Sequence, residues 1–362
     1  MKKIALVIPS LSSGGAERVI SVLANEWSKM NGYEVHLFIL TNLPDVYQLE
    51  KNIFVHRIGF KAKKNNRLLK LYMMVKSMLL FRREISRISP DFILGFLSHV
   101  NFFIILSLLF KSNRVFVSER NSPNLNKSIF FEWIRKFFYS FSTGIIVQSK
   151  TFKNFLEYNG YNAKIKVIPN PIQKLESINY SDTREKYILN VGRLVDQKDH
   201  RRLIDIFNLV VDRQKGWKLV IVGDGPLRKE LLEYTKLLGL SNEVIFKGEC
   251  KKIEDFYNTS QIFAFTSKYE GFPNALAEAM SCGLPCVSFD CVTGPSELIS
   301  SSYNGFLVPE KDNELFAERL LQLMFSYDLR LKLSSNSSKI SSELDSSKIA
   351  KEYLNFCIEN SK

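Results

Sequence analysis

The chain has 362 residues, 45% of them hydrophobic and 24% charged, which is enough apolar material for two domains and too much for a disordered protein. Its five cysteines form no C-x-x-C pair, which argues against a zinc site, and their odd number without a secretory leader suits a reducing cytoplasm. The net charge of +13 is uneven: residues 1–180 hold 26 Lys and Arg against 11 Asp and Glu, the remainder 24 against 26, so a polyanionic or membrane partner is expected for the first half alone.

The opening MKKIALVIPSLSSGG imitates a leader peptide, but its apolar run, residues 4–8, stops at Pro9 with no small-residue cleavage site. It is read as a first strand. EVHLFIL, IFVHRI, DFILGFL, RVFVSE, GIIVQS and KVIPN continue the series as strands, alternating with helical stretches. Residues 92–110 carry no charge over 19 positions, long enough to cross a bilayer. Ser98, His99 and Asn101 in the middle would be costly in lipid, so the stretch is read as a buried strand followed by a buried helix. The polar, Pro-bearing NPIQKLESINYSDTREK is a linker, after which YILNVGR, WKLVIVGDG, EVIFKG, QIFAFTS, LPCVSFD and GFLVP form a second α/β set. In PLRKELLEYTKLLGL, Pro226 is expected at the first helical position and Gly239 near the end. SSNSSKISSELDSS reads as a surface loop or weak helix, and SKIAKEYLNFCIEN as a last amphipathic helix. The expected domains are residues 1–175 and 185–344, with a final helix at about 345–362.

Three motifs carry chemistry. Gly14 and Gly15 follow the first strand and precede a helix, where bare backbone and free N–H groups suit an anion or a simple tight turn. Arg193 and Lys198, in VGRLVDQKDH, stand beyond the first strand of the second set, where open α/β sheets bind ligands; they suit a diphosphate, or are two solvated charges. EGFPNALAE sets Glu270 and Glu278 around a Gly271-Phe272-Pro273-Asn274 turn. Pro273 is expected to open a helix ending at Gly283, with the N–H groups of Asn274 and Ala275 aimed at an anion.

The set SGGAER, GRLVDQKDH, GDGP and EGFPNALAEAMSCGLPCV resembles the retaining glycosyltransferases of the bacterial E-x7-E family, the family 4-like enzymes of O-antigen, capsule and lipid-linked oligosaccharide synthesis. The resemblance runs from residue 4 to about 310. It implies the GT-B fold: two Rossmann-like domains facing a cleft, the acceptor held by the N-terminal one and the nucleotide sugar by the C-terminal one, with the last helix returning to the first domain. It gives Glu270 the donor sugar, Glu278 the ribose, and Arg193 and Lys198 the diphosphate, over which the Gly14–Gly15 loop closes. His99 matches a family histidine near the donor sugar; a hydrogen-bonded core histidine is the other reading. Glu119 and Arg120, at another strand end, face the acceptor or lie on the surface. Lys247 and the loop 247–252 lie against the base.

No D-x-D occurs, so no metal is expected; Arg193, Lys198 and the helix start at Asn274 would stabilise the leaving diphosphate. Eight residues along one helix cannot place two carboxylates on opposite sides of a glycosidic bond, which disfavours a glycosidase. Residues 61–87 hold nine Lys and Arg and one acid among Leu, Met and Phe, the composition of an interfacial helix or of an ordinary one with a solvated basic face. Arg67, Lys70 and Lys76 are candidate contacts for an anionic membrane and the pyrophosphate of a polyprenyl-linked acceptor, and IFFEWIRKFFYSF repeats the theme. The expectation is transfer of a hexose or N-acetylhexosamine, with UDP as carrier, at the cytoplasmic membrane face. A sugar-nucleotide epimerase, a non-catalytic sugar-nucleotide binder and a nucleic-acid binder are the alternatives; no nucleic-acid module is recognised.

Overall fold

The computed structural model describes residues 1–12, 14–59, 67–120, 128–172, 180–250 and 252–361. The chain divides into two compact units: residues 1–173 with 346–362, and residues 174–345. Parts of three sequence features, namely residues 61–66 of the basic stretch, 173–179 of the linker and Lys251, lie outside the described residues.

The first unit is built on strands β1 (Lys2–Ile8), β2 (Tyr33–Ile39), β3 (Phe54–Arg57), β4 (Phe92–Phe96), β5 (Val115–Ser118), β6 (Gly144–Val147) and β7 (Lys164–Val167). They form one parallel sheet in the order β3-β2-β1-β4-β5-β6-β7, with Ile4 facing Val35 on one side and Phe92 on the other. The central strands are continuous apolar runs because both faces of a parallel sheet are covered. Helices Gly15–Ser28 and Ser346–Glu359 cover one face, packing Trp27, Ile349, Tyr353 and Leu354 against Leu6, Phe92 and Phe116. Helices Arg67–Ile88, Ser98–Ser107, Ile129–Tyr139 and Lys150–Tyr158 cover the other, around Phe81, Ile104, Tyr139 and Phe152. The Trp27 indole N–H donates to the Ala350 carbonyl at 2.8 Å, and the Arg120 guanidinium donates to the Tyr353 hydroxyl at 2.9 Å, so the final helix is fastened on two sides.

In the second unit, β8 (Tyr187–Val191), β9 (Lys218–Val222), β10 (Val244–Gly248), β11 (Ile262–Phe265), β12 (Cys286–Asp290) and β13 (Phe306–Pro309) form a parallel sheet in the order β10-β9-β8-β11-β12-β13. Both sheets are doubly wound. The direction of winding reverses between β1 and β4 in the first unit and between β8 and β11 in the second, which are the places where such sheets leave a crevice at their carboxyl ends.

Local signals hold at helix ends and fail at two helix starts. Gly239 and Gly283 both adopt positive φ and close their helices by paired bonds, Leu240 N–H to Thr235 and Gly239 N–H to Lys236 in one, Leu284 N–H to Ala279 and Gly283 N–H to Met280 in the other. Pro226, however, stands in a turn, and its helix begins at Arg228. The Leu227 N–H donates to the Leu194 carbonyl at 3.1 Å, which ties this turn to the loop after β8. Of the two readings of the serine-rich segment the helical one holds: Tyr327–Ser337 and Ile340–Glu343 are helical, and Ser334 and Ser337 are buried.

Candidate active site

Two of the second unit's candidates, Lys198 and Glu270, meet at its switch point. The loop after β8 makes a short 3-10 turn, Asp196–Lys198, which is tied to the segment after β11. Gln197 Nε2 donates to the Tyr269 carbonyl at 2.8 Å, the Lys268 N–H to the Gln197 carbonyl at 2.8 Å, and the Thr266 hydroxyl to the Lys198 carbonyl at 3.1 Å. The result brings Lys198 Nζ to 2.6 Å from Glu270 Oε1, with side-chain exposures of only 19% and 8%. Lys198 from one side of the switch point and Glu270 from the other are thus an ion pair, which sequence order does not reveal. Gln197 Nε2 lies 3.5 Å from the second Glu270 oxygen, and the Thr293 hydroxyl donates to the Glu270 carbonyl. Arg193 stands exposed in the same loop.

The glycines of VGRLV and VGDGP are explained by how these loops lie on each other. Gly192 N–H donates to Val222 and Leu194 N–H to Asp224, and a Cβ on Gly223, whose φ is +137°, would fall on the Gly192 carbonyl. On the other side Gly294, at φ +108°, leaves room for the Pro273 ring.

Glu270 precedes the helix Asn274–Ser281 and Glu278 lies within it, both buried. Pro273 caps that helix instead of opening it, and the Asn274 N–H turns back to the Phe272 carbonyl at 3.0 Å, so this N–H is spent inside the turn and is not aimed at an anion. Phe272 is buried and Gly271 partly so. Glu278 accepts from the fully buried Tyr257 hydroxyl at 3.0 Å, a partner that sequence order did not suggest because Tyr257 stands 21 residues earlier. Lys247 is exposed but belongs to β10, not to a loop, since the strand runs to Gly248.

His200, beside Lys198, is buried, and neither ring nitrogen has a hydrogen-bond partner among the described residues. Burial, helped by the Lys198 charge, holds its pKa down at about 4, so it is neutral at pH 7 and adds no charge beneath the site. The folded value lies below the ordinary 6.5, so this contribution to stability is complete above that pH and is lost as pH falls toward 4. His200→Leu is expected to remove an acid sensitivity on the order of 2–3 kcal/mol between pH 7 and 4, seen as a flatter dependence of the urea midpoint on pH. An unchanged slope would mean that other groups dominate. Cys291 is likewise inert: burial, then the Glu270 charge, pushes its thiol up to about 12.

In the first unit Gly14 and Gly15 begin the helix after β1, and His99 is the second residue of the helix after β4, so both motifs lie at the carboxyl ends of the strands flanking that sheet's switch point. The Tyr47 hydroxyl, missed in the sequence, holds the glycine turn by donating to the Gly14 carbonyl at 3.0 Å. His99 is exposed and is not a core histidine; partial desolvation lowers its pKa against the opposing pull of Glu119. Glu119 and Arg120 do not lie on the surface. Glu119 is fully buried and accepts from Ser98 and Tyr139, while Arg120 is spent on Asn170 and Tyr353, with its guanidinium 4.3 Å from the centre of the Phe96 ring. Helices folding over the β5 end bury a polar pair that reads as a loop. Arg67 opens the helix Arg67–Ile88, on which Lys70 and Lys76 are exposed.

Comparison with known proteins agrees with this architecture. The description "Glycosyl transferases group 1" matches residues 172–340, and "Glycosyltransferase Family 4" matches residues 13–174. The amylovoran biosynthesis glycosyltransferase AmsD of Erwinia amylovora is 33% identical over 340 residues, covering 91% of this chain and 92% of its own. This chain belongs to that glycosyltransferase family. The glycosyltransferase is also 30% identical to the N-acetylgalactosamine-N,N'-diacetylbacillosaminyl-diphospho-undecaprenol 4-alpha-N-acetylgalactosaminyltransferase of Campylobacter jejuni, over 99% of this chain and 100% of that one. Among solved structures, HepE of Anabaena in complex with UDP and glucose superposes with a TM-score of 0.83 at 20% identity, covering 98% of this chain and 99% of that one. The glycosyltransferase has the GT-B fold, with two parallel-sheet Rossmann-like domains.

Proposed function

We propose that this glycosyltransferase moves a hexose or N-acetylhexosamine from a UDP-sugar to a polyprenyl-diphosphate-linked glycan, with retention at the anomeric carbon. The observation that carries the reading is the Lys198–Glu270 pair at the second unit's switch point, with Arg193 exposed in the same loop as Lys198. Glu270 would hold the donor sugar and Glu278 the ribose, with the Gly271–Asn274 turn between them and Lys247 toward the base. Lys198 and Arg193 would take the diphosphate. The two cations can stabilise the leaving UDP, and with no D-x-D in the sequence a metal-independent reaction is the simplest reading. The anomeric carbon–phosphate oxygen bond breaks, a bond to the acceptor hydroxyl forms, and the departing phosphate oxygen takes the acceptor's proton. His99 would donate a hydrogen bond to the sugar, and the Gly14–Gly15 turn would meet the phosphates. UDP is supported by HepE, which was solved with UDP and glucose, and the lipid-linked acceptor by the undecaprenol-linked substrate named for the Campylobacter relative.

A panel of nucleotide sugars tests the donor. The right one at 100 times its Kd should raise unfolding stability by about 2.7 kcal/mol, seen as a shift in melting temperature. Stabilisation by a GDP-sugar and by no UDP-sugar would overturn the choice of UDP.

The first unit's outer helices support an anionic bilayer as docking partner, at the cytoplasmic face of the membrane. Among the described residues no helix is long and apolar enough to cross one. From Leu71 to Val75 four of five residues are exposed apolar or aromatic groups, with Lys70 and Lys76 flanking them. On the helix Ile129–Tyr139, Ile129 is 91% and Trp133 66% exposed, and Trp133 stacks on Phe137. Apolar and aromatic groups beside lysines suit a headgroup boundary. The protein is expected to float with vesicles containing phosphatidylglycerol, in a salt-sensitive way, and Trp133→Ser should reduce the floated fraction severalfold. Equal behaviour with neutral vesicles and at high salt would sink the docking proposal.

A further inference from the structure

We propose that Glu119 is a positioning residue, whose buried carboxylate fixes the turn that presents His99. This rests on the reading of His99 as a contact to the donor sugar.

The turn is unusual. β4 ends at Phe96, and Leu97 then takes φ 77° and ψ 140°, a region that residues other than glycine avoid. Such a conformation persists only where its surroundings over-determine it. Here the Leu97 N–H donates to the Ser118 carbonyl at 3.2 Å, while the Leu97 carbonyl accepts from the N–H groups of Val100 and Asn101, both at 3.0 Å. Gly95 contributes by being bare, because a Cβ there would strike the side-chain ends of Ile104 and Asn101 and displace them.

The side chains around the turn converge on one carboxylate. The Ser98 hydroxyl donates to Glu119 Oε2 at 3.0 Å, and the Tyr139 hydroxyl donates to the other oxygen. Asn101 Nδ2 reaches the Tyr139 hydroxyl at 2.9 Å and the Ser118 carbonyl at 3.3 Å. Glu119, Asn101 and Tyr139 are all fully buried. Burial and the Glu119 charge push the Tyr139 phenol well up, so it remains a donor. Ser98 and Val100, on either side of His99, are buried, whereas His99 is exposed. Ser98 and Asn101 therefore face inward and hold the turn, and the imidazole between them faces out. A carboxylate suits the centre of this network because both oxygens accept at once. An amide of the same shape has to turn its NH2 toward one of the two hydroxyls.

The test is a kinetic cycle on the full-length protein, using hydrolysis of UDP-glucose, UDP-galactose, UDP-GlcNAc and UDP-GalNAc. Glu119→Gln and, independently, Ser98→Ala are expected to lower kcat about 10- to 100-fold with the donor KM changed less than about 3-fold. In a His99→Ala background Glu119→Gln should cost less than about 2-fold more, because its effect passes through His99. Full multiplication of the two effects, or a parental kcat in both Glu119→Gln and Ser98→Ala, would overturn the proposal. Should His99→Ala itself turn over normally, the assignment of His99 to the sugar fails on its own. The His99 ring resonances, assigned by their absence in His99→Ala, then decide whether Glu119 sets the turn. They move in both variants if it does and stay in place if it does not.

Discussion

Lys198→Ala is expected to slow sugar transfer by about 10²- to 10³-fold and to lower stability by about 1–3 kcal/mol. The first effect follows from removing a cation where the leaving diphosphate gathers charge. The second follows from the ion pair. Glu270 keeps only 8% of its side-chain surface, so without the ammonium at 2.6 Å its charge is left with Gln197 at 3.5 Å. Breaking a fully buried pair typically costs about 3–5 kcal/mol, and the 19% exposure of Lys198 lets water offset part of that. The two effects can be separated. Lys198→Met combined with Glu270→Gln removes both charges and keeps the volume, so stability should return to within about 1 kcal/mol of the parent while transfer stays lost. Urea unfolding and donor hydrolysis on the three proteins check this. Near-normal turnover of Lys198→Ala would remove the site from the second unit's switch point.

A chain ending at Asp345 should fail to complete its first unit. The helix Ser346–Glu359 buries Ile349, Tyr353, Leu354 and Cys357 in the core that holds Trp27, Phe92 and Phe116. Side chains of this size contribute about 1.5–3 kcal/mol each, so the loss is roughly 5–10 kcal/mol, comparable to the whole stability of an ordinary domain. Arg120 would also lose the Tyr353 hydroxyl, one of its two side-chain hydrogen-bond partners among the described residues. Limited proteolysis should then degrade the first unit and leave a resistant fragment of about residues 180–345. A truncated protein with the parent's melting temperature and proteolysis pattern would refute the dependence.

Much of this was legible before any coordinates. Each of the thirteen strands read from the sequence is present; the central ones are covered on both faces and so are continuous apolar runs, a local pattern, while edge strands such as β3 and β7 are short, partly exposed β-branched runs bounded by turn residues. The glycines closing two helices were legible for the same reason. The starts of those helices were not: proline marks a permitted first position, yet the helices begin beyond Pro226 and Pro273, at Arg228 and Asn274. The site was legible as residue types and illegible as pairs. Arg193, Lys198, Glu270 and Glu278 stand out in the sequence, yet nothing in it joins Lys198 to Glu270, or Tyr257 to Glu278, because those meetings depend on β8 lying beside β11 and on the packing behind the helix Asn274–Ser281. Glu119 was misread for a related reason. A charged pair after a short strand looks like a loop, and only the convergence of Ser98, Asn101 and Tyr139 from two helices shows that it is interior.

The last helix also sets an order of events during synthesis. Trp27 leaves the ribosome 323 residues before Ala350, the residue whose carbonyl it binds. At about 5–20 residues per second that is a wait of roughly 15–65 s, during which one face of the first sheet has only the helix Gly15–Ser28 to cover it. The second unit is continuous in the chain and needs nothing made after Asp345. The half of the protein that is made first is therefore the half that is finished last.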